Sequence, residues 1–100
     1  MKYINHLRIA RIAEYLSDGY KKKYDDSVKR KILAHLRSFP PCAFTSQPVI
    51  DAFTGEEVYE ADNGYTDGSY TWYESQIYYF EKYDLALEED FIAYVLERNP

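Results

Sequence analysis

The stretch that most limits how this chain can fold runs from Asp67-Gly68 to Tyr83, where the apolar spacing changes character. Asp-Gly is a strong hairpin turn signal, because the glycine accepts a positive φ cheaply. After it Tyr70 and Trp72 alternate with Ser69 and Thr71, which puts two large aromatics on one face of a strand. Tyr73, Ile77 and Phe80 then follow at i, i+4 and i+7, and Tyr79 with Tyr83 form a second line. That spacing predicts a helix over residues 74 to 83. A strand therefore feeds directly into an aromatic helix, and the core is expected where Trp72, Ile77, Phe80 and Tyr79 meet.

The remaining segments fall around that unit. Ile9, Ile12, Ala13 and Leu16 share one helical stripe, so residues 3 to 17 read as a helix stopped by Gly19. A second helix is expected from Asp26 or Ser27, either able to cap it, with Val28, Ile32 and Leu36 buried. Pro40 and Pro41 forbid its continuation. Cys42 to Thr45 reads as a short extended piece, Asp51 to Gly55 as a turn and Glu56 to Glu60 as a strand. A last helix from Glu88 to Arg98 carries Phe91, Ile92, Val95 and Leu96 on one side. The expected class is α+β: two N-terminal helices, a small antiparallel sheet of two or three strands, and two C-terminal helices, in a single domain over residues 1–100.

Several functional classes lose support here. No apolar run approaches the ~18 residues that cross a bilayer, and the N-terminus lacks the apolar stretch of a secretory signal. Cys42 is the only cysteine, which fits a reducing compartment, so the expected location is cytoplasmic. His6 and His35 are far apart, and Asp51, Asp62 and Asp67 miss the spacing of a calcium loop; neither a metal nor a cofactor is expected. No nucleophile, base and oxyanion donor form a readable set, so the chain is not expected to be an enzyme. A deep polar pocket converging on His35 or on two close carboxylates would reverse that.

Charge and aromatics point toward binding instead. Residues 1 to 38 hold ten basic and four acidic residues, a net +6; residues 39 to 100 hold two basic and thirteen acidic ones, a net -11. The halves either neutralise each other or present different faces to different partners. Pairing between copies of the chain is a further option, which leaves homo-oligomers open. Lys21-Lys22-Lys23-Tyr24 and Lys29-Arg30-Lys31 could meet phosphates, but the acidic balance argues against direct nucleic-acid binding. Tyrosine and tryptophan set among acids suit a basic protein partner: charge steers the encounter and aromatics anchor it. The expected contacts are Tyr70, Tyr73, Glu74, Tyr78, Glu81 and Asp84.

One pattern extends over residues 32 to 96: Leu36, Asp51, Thr54-Gly55, Thr66-Asp67-Gly68, Trp72, Tyr78-Tyr79, Tyr83, Leu87, Asp90-Phe91-Ile92 and Val95. It resembles small bacterial proteins found beside toxins or in mobile elements. The resemblance implies immunity or antitoxin-like work, the blocking of a toxin by a non-enzymatic protein. The alternative is a phage or mobile-element inhibitor of a nucleic-acid-binding defence complex, with the acids acting as a phosphate mimic.

Overall fold

The computed structural model of the chain describes residues 2, 3, 19 and 22–98. In chain order the elements are β1 (Lys2–Tyr3), α1 (Asp26–Leu36), β2 (Val49–Ile50), β3 (Glu57–Tyr59), β4 (Gly64–Thr66), β5 (Tyr70–Tyr73), α2 (Glu74–Tyr83) and α3 (Glu89–Arg98). The class is α+β. One helix precedes the longer strands among the described residues and two follow them. The first helix expected from sequence lies outside the described residues except at Tyr3, which is in a strand and pairs with Thr71.

The strands form two sheets rather than one. In the larger, the order is β1-β5-β4, with β1 parallel to β5 and β4 antiparallel to it. The expected purely antiparallel sheet is thus corrected to a mixed one, because residues 2 and 3 supply a parallel edge. The smaller sheet pairs β2 with β3. Cys42 to Thr45 contributes only a bridge from Ala43 to Gly64, since Pro40, Pro41 and Pro48 interrupt the chain around it.

The hairpin works as its sequence suggests. Gly68 sits at φ +97, and Asp67 Oδ1 accepts the amides of Ser69 and Tyr70 at 2.8 Å each. A Cβ on Gly68 would meet nothing within 4 Å, so its cost is purely one of backbone conformation. Gly68→Ala should therefore lower stability by about 1 kcal/mol. That corresponds to a melting temperature lower by roughly 4–8 °C; an unchanged melt would show that the left-handed turn is dispensable.

The main core lies between α1, α3, β5 and one side of α2. Trp72, Phe80, Phe91, Val95 and Ile32 are inaccessible to solvent, with Ile77 and Leu36 nearly so. Tyr79 is not part of it, contrary to expectation. It forms a second cluster with Leu85, against which Tyr78 and Tyr83 pack. α1 begins at Asp26, and its N-cap Asp25 makes no side-chain bond, so neither Asp26 nor Ser27 caps it. Its far end is closed instead by Trp72, whose indole N–H donates to the Leu36 carbonyl at 3.1 Å. His35, beside it, lies 2.7 Å from Asp67 Oδ2 and ties α1 to the hairpin. Burial opposes the Asp67 charge, but the Tyr70 and Ser69 amides and His35 outweigh it and hold the carboxyl below its usual range.

Candidate partner-binding face

The second cluster is built around a buried carboxylate. Asp51 is inaccessible to solvent, and its Oδ1 accepts the amides of Phe53 (2.8 Å) and Thr54 (3.0 Å), closing a tight turn. Gly55 completes that turn at φ +77, its amide donating to the Asp51 carbonyl. Asp51 Oδ2 accepts hydroxyls from Tyr78 and from Tyr83, the latter at 2.6 Å, with Lys82 Nζ 3.5 Å away. Tyr79 adds a third clasp: its hydroxyl donates to the Ile50 carbonyl at 3.2 Å and accepts from the Ala52 amide at 2.9 Å. Helical spacing makes this work, because positions 78, 79, 82 and 83 fall on one side of α2.

The clasp sets its own proton affinities. Burial alone would raise the Asp51 pKa, but the Tyr78 and Tyr83 hydroxyls and two amides overcome it and hold the carboxyl well below its ordinary range. Tyr83, bonded to that carboxylate and partly desolvated, is pushed up to about 12. The turn is therefore a densely hydrogen-bonded knot around one carboxylate, pinned to a helix with the Lys82 ammonium alongside.

What the knot presents is apolar. Phe53 is 49% exposed and Ile50 52% exposed, both on the segment held by Asp51. Phe53 packs at a tilt on Tyr83, with ring centroids 4.8 Å apart. Glu57, on the strand β3 of the same small sheet, and Glu56 and Glu60, which flank it, are exposed. Phe44 is exposed too, on the segment that bridges to Gly64. Phe53 and Ile50 were not among the contacts expected from sequence. The signal was available: an aromatic in the middle of an Asp-to-Gly turn has little chance of being covered.

The expected contacts are dispersed. Tyr70 is 8% exposed and packs in the core against Phe91 and Tyr94, at 5.0 and 4.9 Å. Tyr73 is half-buried at the junction of β5 and α2, its amide bonded to Gln76 Oε1. Glu74, Tyr78 and Glu81 share a side of α2. Tyr78 is half-buried and its hydroxyl is committed to Asp51. Glu74 is 8% exposed and accepts the Tyr65 hydroxyl, while Glu81 is exposed and takes Arg37 at 3.0 Å. Asp84 ends α2 in a left-handed conformation and pairs with Lys29 at 2.8 Å.

The acids themselves divide in two. Asp51 and Asp67 are internal fasteners, and so is Asp62, which accepts both the amide and hydroxyl of Ser75 at the start of α2. Burial raises the Asp62 pKa despite those two bonds. The charge halves also meet: Lys22 pairs with Glu89, Lys29 with Asp84, and Arg37 with Glu81. The acidic surface is thus narrower than the sequence suggested, and Glu56, Glu57 and Glu60 are its part nearest the Phe53 turn. Among the described residues no group of three metal-ligating side chains converges, and no helix is long and apolar enough to cross a membrane. Compared with family models, with curated proteins and with solved structures, the chain matches none.

Proposed function

We propose that this chain is a non-enzymatic binding protein that neutralises a basic protein partner, in the manner of an immunity protein blocking a bacterial toxin. The observation that carries this reading is a half-exposed Phe53 on a turn made rigid by Asp51, with Ile50 beside it and three exposed glutamates close by. A preorganised aromatic loses little freedom on binding and is the kind of residue that dominates interface energy. Glu56, Glu57 and Glu60 supply the charge that speeds encounter with a basic surface. The α2 side bearing Tyr78 and Glu81 borders this patch. The immunity role itself draws on the resemblance described above.

The test is affinity capture from the native bacterial lysate, comparing wild type with Phe53→Ser and with a triple Glu-to-Lys reversal at 56, 57 and 60. The expected result is a basic protein retained at low salt, released at high salt and lost with Phe53→Ser. With the purified partner, Phe53→Ser should weaken binding by about 2 kcal/mol, mainly through faster dissociation. The triple reversal should slow association on the order of 10-fold. Equal capture by wild type and both variants would sink the reading.

A further inference from the structure

A half-open cleft of about 240 Å³ lies between the end of α1, the Phe39–Pro41 segment, β4 and the start of α2. Leu36, Phe39, Pro41 and Ile77 form its apolar walls, and its polar lining is Arg37, Tyr65 and Glu74. The volume is below that of ordinary small-molecule pockets, and closer to what one long side chain fills.

Glu74 gives the cleft a chemistry. Its side chain is 10% exposed, and Oε2 accepts the Tyr65 hydroxyl. Arg37 Nη1 stands 3.7 Å from Oε1, too far for a hydrogen bond. Oε1 of this largely buried side chain thus keeps acceptor capacity, which is costly unless a donor arrives. Charge is unbalanced as well. Arg37 is shared between Glu74 and the nearer Glu81, while Tyr65, raised to about 12 by burial and by Glu74, stays neutral. Lys29, which also reaches α2 from α1, is held by Asp84 and the Glu81 carbonyl. The Arg37, Glu74 and Glu81 group therefore carries one net negative charge.

We propose that this cleft receives a single lysine side chain of the partner, its ammonium donating to Glu74 Oε1 and its methylenes lying against Leu36, Phe39 and Ile77. This rests on the reading of the chain as a binder of a basic protein. Lysine fits better than arginine, because the guanidinium fork wants two acceptor oxygens and Tyr65 already occupies one. The cleft also adjoins the Phe53 face. Tyr59 faces the Arg37 guanidinium on one side and packs on Tyr78, 6.2 Å between centroids, on the other. One partner can span both.

The test needs no partner. Nα-acetyl-lysine methylamide is titrated into the labelled full chain and followed by amide NMR shifts, with the norleucine and arginine analogues alongside. The lysine probe should give saturable shifts at Arg37, Tyr65, Glu74 and Ile77, with a dissociation constant on the order of 1–10 mM. The arginine probe should bind at least about 5-fold more weakly, and the norleucine probe should not saturate. Glu74→Gln, with its spectrum otherwise retained, should lose the response; the comparison of probes on wild type decides even if that variant unfolds. Equal shifts from norleucine, or none from lysine, would overturn the site. A failed titration leaves the Phe53 face standing, whereas failed capture removes the partner reading and leaves the lysine site.

Discussion

Trp72→Ala should destabilise the protein by about 4 kcal/mol, the largest effect of any single substitution considered. Trp72 is inaccessible to solvent and stands among His35, Phe39 and Phe91, with ring centroids 5.8 to 6.2 Å away. Truncation empties that space and also strips the Leu36 carbonyl of the indole donor that closes α1. Both losses fall on the junction of sheet and helices, where little can collapse to refill it. A 100-residue domain has about 5–15 kcal/mol in total, so a large part of the folded population is at stake. The effect is read by urea denaturation followed in the far-UV circular dichroism, because the variant removes the only tryptophan. The midpoint should fall by roughly 2 M or more. Trp72→Phe, which keeps most of the volume but not the donor, should cost roughly 1–2 kcal/mol. If alanine costs no more than phenylalanine, the indole body is not the keystone of the core.

Much of this core was legible in the chain because it depends on local spacing. Tyr70 and Trp72 are both buried on β5 as expected, although Thr71 between them is buried as well, and α2 spans Glu74–Tyr83 as its aromatic spacing predicts. Phe91, Ile92 and Val95 are buried as expected on α3. What spacing could not supply was pairing at a distance. The parallel contact of residues 2 and 3 with β5 joins the chain's start to its seventieth residue, and nothing local encodes it. Likewise Asp51, Asp62 and Asp67 look like surface acids beside glycines and turns. Each proves to be an acceptor for donors on a distant or adjacent element. The candidate site inherits that difficulty: Tyr70 and Glu74 were placed on the binding surface by residue type, but the fold turns Tyr70 into core and Glu74 into the floor of a cleft. Phe53 was readable as a turn aromatic, yet its stiffness comes from tyrosines more than twenty residues later.

Charge segregation has the same resolution. Lys22, Lys29 and Arg37 reach across to Glu89, Asp84 and Glu81, so the opposed halves of the sequence are brought edge to edge. Exposed pairs of this kind contribute about 0–1 kcal/mol each. Their larger consequence is to occupy Glu81, Asp84 and Glu89, while Glu56, Glu57 and Glu60 stay exposed near the Asp51 turn. Stability and the proposed partner contact then depend on one carboxylate, since the same Asp51 that fastens the turn also holds the segment that carries Phe53.

Asp51→Ala should accordingly cost about 2–3 kcal/mol at neutral pH and weaken partner capture together with it. Two tyrosine hydroxyls and two turn amides lose their acceptor at once. The cost stays at the lower end of the range for buried charges because the clasp is one side chain deep, and water can reach the tyrosines when it opens. Tyr83→Phe, which removes one donor and keeps the charge, should cost about 1 kcal/mol. Acid supplies an independent check. The folded Asp51 carboxyl lies below its ordinary 3.8, so its contribution is complete above that value and is lost as pH falls from there toward the folded pKa. Asp62 has the opposite sign: its folded pKa is raised, so acidification relieves the burial of its charge. Urea midpoints measured from pH 6 down to about pH 2 should therefore fall more steeply for wild type than for Asp51→Asn, and more steeply still for Asp62→Asn. Parallel profiles for wild type and Asp51→Asn would mean that the carboxylate is not held by the clasp, and the rigid presentation of Phe53 would fall with it.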